Sequence, residues 1–429
     1  MDSLFSRLVA IKTLESVLRE NSFVYLAFSR YGDNLPSYEK RFCYEIIYGT
    51  LRNLYFLDSI ILEISGTRNI DYDIENLLRI GVYQLIFMDS VPNYAAVHTT
   101  TELAKSISNM KNSRFVNAVM RKIIREWQDI QLPRDNIIDY LRVKYSFPKW
   151  IIEQLMLETG EEEIENLLSN LNNKPDLYIR YNKLRTDIKG LIGDLHKEGF
   201  SEVKRVKHFP DYLQIILPGK DLTETQSFKN GKFLIQDPTF SLPLKLLPSD
   251  IKFKNYLEIG ASPGGKLSKA VELLHKSNNI YSIDLPHRNR ILKNNMHRLG
   301  LLKRVILISG DATSLPFARN SLDIILLDPP CTSLGVIRRH PEIRYIKKPI
   351  DMKLLSSLQK DMIRSSSFVL KKGGTLIYST CTLTRAENEN IIKYAERYRL
   401  IPYPDNQNYS IKSIPYRFDG GFTARLIKD

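Results

Sequence analysis

The sequence predicts a multi-domain protein with an all-α N-terminal domain, a small α/β module and a doubly wound α/β domain at the C-terminal end. Residues 4–127 carry apolar side chains at helical spacing. Residues 177–237 change to short alternating strands around one helix. From residue 250 onward strands and helices alternate, which is typical of a parallel sheet. A chain of 429 residues is long enough for two or three such domains.

The charge balance indicates a polyanionic partner. Lys and Arg number 62 against 48 Asp and Glu, for a formal net charge of +14 and an isoelectric point near 9.4. A merely basic protein is the alternative, but a balance this basic favours nucleic acid.

The chain has three cysteines, Cys43, Cys331 and Cys381. Three cysteines cannot build a disulfide framework, and no Cys-x-x-Cys or His-rich pattern suggests zinc, so we expect no metal. The start lacks a signal-peptide pattern, and no apolar run approaches the length of a membrane span. We therefore expect a cytoplasmic protein without a membrane partner. The sequence leaves the oligomeric state open, with a monomer as the default expectation.

The N-terminal region reads as a compact helical domain. Gly, Pro and Asn at 32–34, 66–67 and 91–93 mark its turns. Helices are predicted at 38–51, 54–64, 74–87, 99–108 and 113–126. Basic side chains that could line one surface are Arg52, Arg114, Arg121, Lys122 and Arg125.

The middle of the chain has a different character. A helix is predicted at 150–168, and the small α/β module follows it. Its elements are strands at 177–181, 203–206, 213–217 and 233–237, with a helix at 186–198.

The C-terminal region predicts five parallel strands, and ligands of such sheets bind beyond the carboxyl ends of the strands. The strands are placed at 256–259, 279–284, 304–309, 322–327 and 374–379. Helices are placed at 288–299, 351–368 and 385–397.

The first of these strands runs into a glycine-rich turn and then a helix. The turn consists of Gly260, Ala261, Ser262, Pro263, Gly264, Gly265 and Lys266. Its glycines let the backbone approach a ligand closely, and the helix start offers free N–H groups. The turn matches neither Gly-x-Gly-x-x-Gly nor a phosphate loop ending in Gly-Lys-Ser/Thr. A nucleoside without a pyrophosphate, such as S-adenosylmethionine, fits better than a dinucleotide or a triphosphate.

Two carboxylates follow the next two strands. Asp284 lies 20 residues past Gly264, where doubly wound domains place an acid that accepts hydrogen bonds from ribose hydroxyls. Asp311 fits a contact to the adenine edge, although Gly-Asp-Ala is also good turn chemistry.

Cys331 and Cys381 follow the last two strands, and Asp328 precedes Cys331. Free cysteines often pack as small apolar residues, but two at the ligand edge indicate chemistry. A thiolate is an effective nucleophile. Its addition to carbon 6 of a pyrimidine makes carbon 5 able to take a methyl group from a sulfonium donor. Asp328 is placed to hold the nitrogen edge of the base.

At these residues the chain resembles the Sun family of RNA cytosine-5 methyltransferases, in particular the bacterial small-subunit ribosomal RNA enzymes with a NusB-like domain. The donor loop at 261–266 carries the resemblance. So do Asp328-Pro-Pro-Cys331 with the residues up to Glu342, and Ser379-Thr-Cys381 with the residues up to Glu389. Residues 92–98 and 115–121 resemble motifs of the helical domain, and residues 419–424 resemble the terminal strand.

The resemblance implies three domains. They are a NusB-like RNA-binding domain at 1–128, linker helices with an RNA-recognition-like module at 129–245, and a Rossmann-like methyltransferase domain at 246–429. It implies S-adenosylmethionine as the methyl donor and a cytidine of small-subunit ribosomal RNA as the substrate.

The resemblance also implies roles for single residues. Cys381 would be the nucleophile, Cys331 would assist product release, and Lys266 and Asp328 would orient the cytosine. The donor would be surrounded by residues 260–266 with Asp284, Asp311 and Asp328.

The sequence departs from the family's usual pattern at four positions, namely Gly260, Ser262, Pro329 and Gly421. None of these removes a reactive group, and Gly421 stands where relatives have an aromatic residue.

Two other functions remain open. A DNA cytosine-5 methyltransferase would attack with Cys331, and a non-catalytic RNA-binding ribosome-assembly factor would need neither thiol.

Overall fold

The computed structural model describes residues 3–216, 220–248, 254–275, 278–403 and 409–429. The last residue of the strand predicted at 213–217 lies outside these ranges. The chain divides into two compact units. The helical unit comprises Met1–Asn173 and Ile337–Lys348, and the sheet unit comprises Lys174–Val336 and Pro349–Asp429. Within the described ranges, every helix is too short or too polar to cross a membrane.

The first segment of the helical unit is built from helices, as predicted, but the single helix predicted at 150–168 is wrong: Gly160, with a φ of +87°, separates two helices there. They are α1 (Ser3–Glu20), α2 (Val24–Tyr31), α3 (Ser37–Arg52), α4 (Leu54–Ser65), α5 (Tyr72–Phe87), α6 (Asn93–Ile107), α7 (Met110–Glu126), α8 (Ile137–Tyr145), α9 (Lys149–Thr159) and α10 (Glu161–Asn172). Helix α6 starts six residues before its predicted start, because Pro92 takes the extended conformation that precedes a helix. Helix α2 is missing from the prediction, since eight residues give barely two turns of periodicity.

Helix α7 shows how the sequence builds this unit. Val116, Val119, Met120 and Ile123 follow helical spacing and are buried in the common core. Asn109 caps the helix, because its side chain accepts a hydrogen bond from the backbone N–H of Asn112. The opposite face of α7 is exposed and carries Arg114, Arg121 and Arg125.

The prediction that Arg52 lines a basic surface is wrong. Its side chain is buried, and Nη2 donates a hydrogen bond to the backbone oxygen of Arg338 at 2.9 Å. This long side chain ends a core helix, so it turns inward to a carbonyl that has to be satisfied.

The second segment of the helical unit, Ile337–Lys348, is held by a buried arginine. Arg344 lies on the short helix Ile343–Ile346 and is 1% exposed. Its guanidinium donates to the backbone oxygens of Arg52, Tyr145, Ser146 and Leu171 and to Oδ1 of Asn172. The backbone acceptors of Arg52, Tyr145 and Leu171 lie in the last turns of α3, α8 and α10, where carbonyls lack a partner within the helix.

The sheet unit contains a small antiparallel sheet, which confirms the predicted α/β module. Its elements are β1 (Leu177–Tyr181), α11 (Ile188–Lys197), β2 (Glu202–Arg205), β3 (Tyr212–Ile216), α12 (Gln226–Lys229) and β4 (Phe233–Ile235). The strand order is β2-β3-β1-β4. Ile179, Leu191, Leu195 and Leu213 form the core between this sheet and its helix.

The second sheet contains the predicted parallel strands. The label α15 is kept for the helix Ile343–Ile346 of the helical unit. The remaining elements of the sheet unit are β5 (Asn255–Ile259), α13 (Gly265–Leu273), β6 (Asn279–Asp284), α14 (Pro286–Leu299), β7 (Ile306–Ser309), β8 (Leu322–Leu327), α16 (Pro349–Val369), β9 (Leu370–Thr380), α17 (Glu389–Ala395), β10 (Leu400–Pro402), β11 (Ser410–Ser413) and β12 (Gly421–Lys428). The order is β10-β12-β9-β8-β5-β6-β7, and β11 also pairs with β12.

The five strands from β5 to β9 are parallel, but the sheet as a whole is mixed. Strand β12 runs antiparallel to β9, β10 and β11. The short strands β10 and β11 offer three and four residues of pattern, too few to reveal their direction from the sequence.

Candidate active site

The glycine-rich turn connects β5 to α13, as predicted. Gly260 and Gly264 have φ angles of +75° and +107°, which glycine adopts readily. A Cβ at Gly260 would lie 2.2 Å from the backbone oxygen of Asp328, and a Cβ at Gly264 would lie 2.5 Å from Cε of Met296. These glycines are therefore required for close packing of β5, β8 and α14, in addition to any ligand.

Asp284 ends β6 and reaches this turn. Its Oδ2 accepts a hydrogen bond from the backbone N–H of Ser262 at 3.0 Å, and its Oδ1 accepts one from Leu285 at 2.8 Å. The side chain is nearly buried, and the guanidinium of Arg288 lies 3.4 Å away. The carboxylate is therefore held at the edge of the turn by two backbone donors and a cation.

Asp311 is in a different environment. It is exposed, and its Oδ1 accepts hydrogen bonds from the backbone N–H and the hydroxyl of Thr313, both at 2.8 Å. This is the turn geometry that the sequence also allowed.

Lys266 and Asp328 form a partly buried ion pair. Lys266 lies in the first turn of α13, and its Nζ is 2.6 Å from Oδ2 of Asp328. Burial lowers the pKa of Lys266, but the Asp328 carboxylate outweighs it, so the net pKa is raised. The pair places a fixed cation and a carboxylate beside the end of β8.

The two thiols predicted to react lie together. Sγ of Cys331 and Sγ of Cys381 are 3.2 Å apart, and both cysteines are free. Cys331 is 8% exposed, whereas Cys381 is partly exposed. Ser333 Oγ lies 3.3 Å from Sγ of Cys381.

The surroundings shift the pKa values of the two thiols in opposite directions. The pKa of Cys381 is lowered by its hydrogen bond to Cys331 and by Ser333, with a further contribution from the charge of Lys266. The pKa of Cys331 is raised by its hydrogen bond to Cys381 and by burial. The opposite shifts mean that a proton shared between the two sulfurs is held more tightly by Cys331 than by Cys381.

The pocket at Cys381 contains residues that the sequence analysis did not single out. Its lining includes Lys266, Cys381 and Phe422, together with Phe240 from the 3₁₀ segment Pro238–Leu246 and Gly421 from β12. The Nζ of Lys266 lies 5.1 Å from the centre of the Phe240 ring. Gly421 adds no side chain to the wall, so Phe240 and Phe422 supply its aromatic surface. Phe240 lies far from any motif, and no pattern in the sequence marks it.

Cys331 and Cys381 are each followed by a threonine, and these two threonines are in contact. Oγ1 of Thr332 and Oγ1 of Thr382 are 2.7 Å apart in the buried interior. The repeated Cys-Thr dipeptide is the signal that could have identified this contact from the sequence.

Comparison with known families identifies three matching regions. The family described as 16S rRNA methyltransferase RsmB/F matches residues 244–414. The NusB family matches residues 5–125, and the ferredoxin-like domain of RsmF/B-like methyltransferases matches residues 147–220.

Two relatives that align with most of the chain carry names of small-subunit ribosomal RNA methyltransferases. The probable ribosomal RNA small subunit methyltransferase B of Bacillus subtilis is 31% identical over 81% of this chain and 78% of its own. The probable methyltransferase B of Synechocystis sp. is 30% identical over 99% of both chains.

Solved structures share the fold. The crystal structure of PH0851 has a TM-score of 0.80 at 25% identity and covers 100% of this chain and 99% of its own. A methyltransferase homologue from Pyrococcus horikoshii has a TM-score of 0.58 at 25% identity, over 69% of this chain and all of its own. With the matching family description and relatives 31% and 30% identical over 81% and 99% of its length, the chain belongs to the RsmB/F family of 16S rRNA methyltransferases.

Proposed function

We propose that the protein methylates carbon 5 of a cytidine in small-subunit ribosomal RNA, with S-adenosylmethionine as the donor and Cys381 as the nucleophile. The observation that carries this proposal is the pair of thiols 3.2 Å apart, one with a lowered pKa and the other with a raised pKa. Family membership supports the RNA substrate.

The residues around the turn fit the donor. Asp284 presents an anchored carboxylate at the end of β6, where ribose hydroxyls are bound in doubly wound folds. The turn at 260–266 would hold the rest of the nucleoside, with Asp328 at one side and Asp311 as a more exposed contact to the base. When bound, the donor supplies an electrophilic methyl group.

The side chains near Cys381 have distinct tasks. The Cys381 thiolate forms a bond to carbon 6 of the cytosine, which moves electron density toward carbon 5. Lys266 and Asp328, paired at 2.6 Å, would hold the polar edge of the base through this change. After methylation, a base takes the proton from carbon 5, its electron pair re-forms the double bond between carbons 5 and 6, and the bond to Cys381 breaks to release the thiolate. We assign Cys331 to promote this elimination.

A denaturing gel with ribosomal RNA tests the division of work between the thiols. Cys381→Ala should abolish methylation and give no covalent complex. Cys331→Ala should allow attack but slow release, so a retarded protein–RNA band should accumulate. The double variant should behave as Cys381→Ala alone, because release is irrelevant without attack.

The same gel separates the alternatives. A covalent complex trapped only in Cys381→Ala would make Cys331 the nucleophile and favour the DNA-type enzyme. Full activity in both single variants would return the thiols to a packing role. Wild-type protein without methylation of any ribosomal RNA would favour the assembly factor.

We also propose that the exposed face of α7 contacts RNA phosphates. Arg114, Arg121 and Arg125 are spaced by 7 and 4 residues, which places them on one face of the helix. Deleting the predicted domain 1–128 would be a poor test, because it would remove Arg52, to which the segment with Arg344 is bonded.

Replacing the three arginines of α7 by Gln is a cleaner test. Each lost phosphate contact should reduce the salt dependence of RNA binding by about one unit of slope. Neutralising the exposed Arg30, Arg41 and Arg134 removes the same charge elsewhere in the helical unit and serves as the matched control. Equal slopes for the two triple variants would contradict a specific role for α7.

A further inference from the structure

Glu387 is a fully buried carboxylate beside the two thiol-bearing loops. Its Oε1 accepts hydrogen bonds from the backbone N–H of Thr332 at 2.9 Å and from Nε2 of Gln359 at 3.1 Å. Its Oε2 accepts hydrogen bonds from the hydroxyls of Thr332 and Thr384. Four donors therefore converge on one carboxylate, and two of them belong to the residue that follows Cys331.

The loop of Cys381 is tied to the same place. Thr332 and Thr382 share a hydrogen bond between their hydroxyls. Asn388, the neighbour of Glu387, accepts a hydrogen bond from Thr380 at 2.6 Å and donates one to the backbone oxygen of Thr382 at 3.2 Å. The residues on both sides of Cys381 are thus bonded to Asn388, and the residue after Cys331 is bonded to Glu387.

We propose that Glu387 is a positioning residue that holds the Cys331 loop against the Cys381 loop, so that the Cys331 thiol donates a hydrogen bond to the Cys381 sulfur. Glu387 is too deeply buried to meet RNA and acts only through these loops. The consequence for catalysis rests on the proposed function, whereas the effect on the thiols does not.

The pKa of Cys381 depends on the position of the Cys331 loop. The groups that face Cys381 are Cys331, Ser333, Asp328 and Lys266, and the Cys331 hydrogen bond has the largest effect on its pKa. If the Cys331 loop moves away, that hydrogen bond is lost and the pKa of Cys381 rises. Cys331 itself faces Cys381, Glu387 and Ser333. A carboxylate that merely stabilised the fold would leave the reactivity of Cys381 unchanged.

The test is alkylation of each cysteine by iodoacetamide as a function of pH, followed by mass spectrometry of the separate peptides. In Glu387→Ala the midpoint pH for alkylation of Cys381 should rise by about one to two units, the value of one hydrogen bond to a charged sulfur. An unchanged midpoint in the folded variant would overturn the proposal.

Glu387→Gln should restore the wild-type midpoint for Cys381. The amide oxygen can still accept from Thr332 N–H and Gln359, and the amide NH₂ can donate to the two threonine hydroxyls, which also accept hydrogen bonds. A rise equal to that in Glu387→Ala would show that the hydrogen-bonded geometry is not what matters, and would also overturn the proposal.

A second pair of variants covers the case in which Glu387→Ala does not fold. Thr332→Val keeps the shape of the side chain and removes the hydroxyl that contacts Glu387 and Thr382, so a smaller rise is expected. Thr13→Val is the matched control, because Thr13 is also fully buried and its hydroxyl bonds only locally, to the backbone oxygen of Val9 at 2.8 Å. Equal midpoints in these two variants would count against the proposal.

Alkylation needs neither RNA nor donor, so the two proposals can fail separately. A protein that methylates no RNA but shifts its Cys381 midpoint in Glu387→Ala would refute the proposed function and retain the positioning role. A methylating protein with an unshifted midpoint would do the reverse.

Discussion

Arg180 in the sheet unit and Arg344 in the helical unit are both almost inaccessible to solvent, at 0% and 1% exposure, yet they are neutralised differently. Arg180, on β1, contacts both oxygens of Glu272 at 2.9 Å. It also donates to Ser268 at 2.6 Å and to the backbone oxygen of Gly265 at 3.4 Å. An ion pair therefore joins the small sheet to α13, directly behind the glycine-rich turn.

Arg344 is compensated by helix ends instead of a carboxylate. Its hydrogen bonds given above go to backbone oxygens and to one amide oxygen, and its guanidinium lies 3.9 Å from the centre of the Phe147 ring. The carbonyl end of a helix carries about half a negative charge, and three such ends meet here. Burial lowers the pKa of Arg344 to about 10, which leaves it charged at neutral pH.

Glu258 on β5 is a third buried group, and its raised pKa favours the uncharged carboxyl at neutral pH. Complete burial raises its pKa to about 8, although its hydrogen bond from Tyr256 opposes the shift. The comparison teaches that the Arg180 ion pair joins two elements and that Arg344 gathers the ends of three helices, whereas Glu258 is accommodated by a raised pKa. Mutation of these three buried groups should therefore change the stability of the protein in different ways.

The largest effect is expected when the ion pair loses its anion. Glu272→Gln leaves the Arg180 charge buried without a counter-charge, which should cost about 3–5 kcal/mol. Hydrogen exchange of peptides covering β1 and α13 would measure it. The double variant Arg180→Met with Glu272→Leu should recover most of the loss, since apolar replacement of a buried pair is often neutral. A double variant no more stable than Glu272→Gln would contradict the ion-pair account.

The next effect concerns pH and Glu258. A carboxyl with a folded pKa near 8 and an unfolded value near 4.5 binds its proton more tightly when folded. Its contribution to stability is therefore complete below pH 4.5 and is lost as pH rises toward 8. Glu258→Gln should remove this slope, which amounts to roughly 1.4 kcal/mol per pH unit. Hydrogen exchange of the β5 peptide, compared between wild type and variant at several pH values, would measure it, and parallel pH profiles would contradict it.

Arg344→Met should destabilise the helical unit by about 1–3 kcal/mol, because carbonyls at helix ends lose a buried donor. Both tryptophans of the chain, Trp127 and Trp150, belong to this unit, so their fluorescence during denaturation reports it selectively. Arg344→Lys keeps the charge, but an ammonium group has only three donors for the five acceptors that the guanidinium contacts. The stability of Arg344→Lys should therefore lie between that of Arg344→Met and that of wild type. A variant Arg344→Lys as stable as wild type would show that the charge alone suffices.

The smallest effect on stability is expected for an ion pair at the surface, which serves as the reference for the buried groups. Arg30 and Glu20 form an ion pair at 2.8 Å in which both side chains are 53% exposed. Arg30→Met should change stability by about 0–1 kcal/mol, because solvent already screens the pair. A loss in tryptophan-detected stability as large as that of Arg344→Met would mean that burial does not set these magnitudes.

Local patterns made much of the site predictable. The glycine-rich turn is contiguous, Asp284 follows it at a characteristic distance, and both cysteines stand at the ends of apolar strands, where parallel topology brings them to one edge. Glu387 lies in a motif that resembles the family's, so the sequence could have singled it out. Its proposed positioning role could not be predicted, because its contact with Thr332 spans 55 residues. Phe240 and Gln359 carry no local signal at all.

The sequence by itself determined the helical and α/β regions, the parallel core strands and the candidate side chains at their carboxyl ends, because periodicity and strand ends are local properties. Tertiary structure alone decided which thiol has the lowered pKa, because that depends on a proton shared between residues 50 positions apart. It also decided that Ile337–Lys348 joins the helical unit, since the acceptors of Arg344 come from three separate helices. Burial and long-range hydrogen bonds depend on the whole folded chain, and no window of sequence contains them.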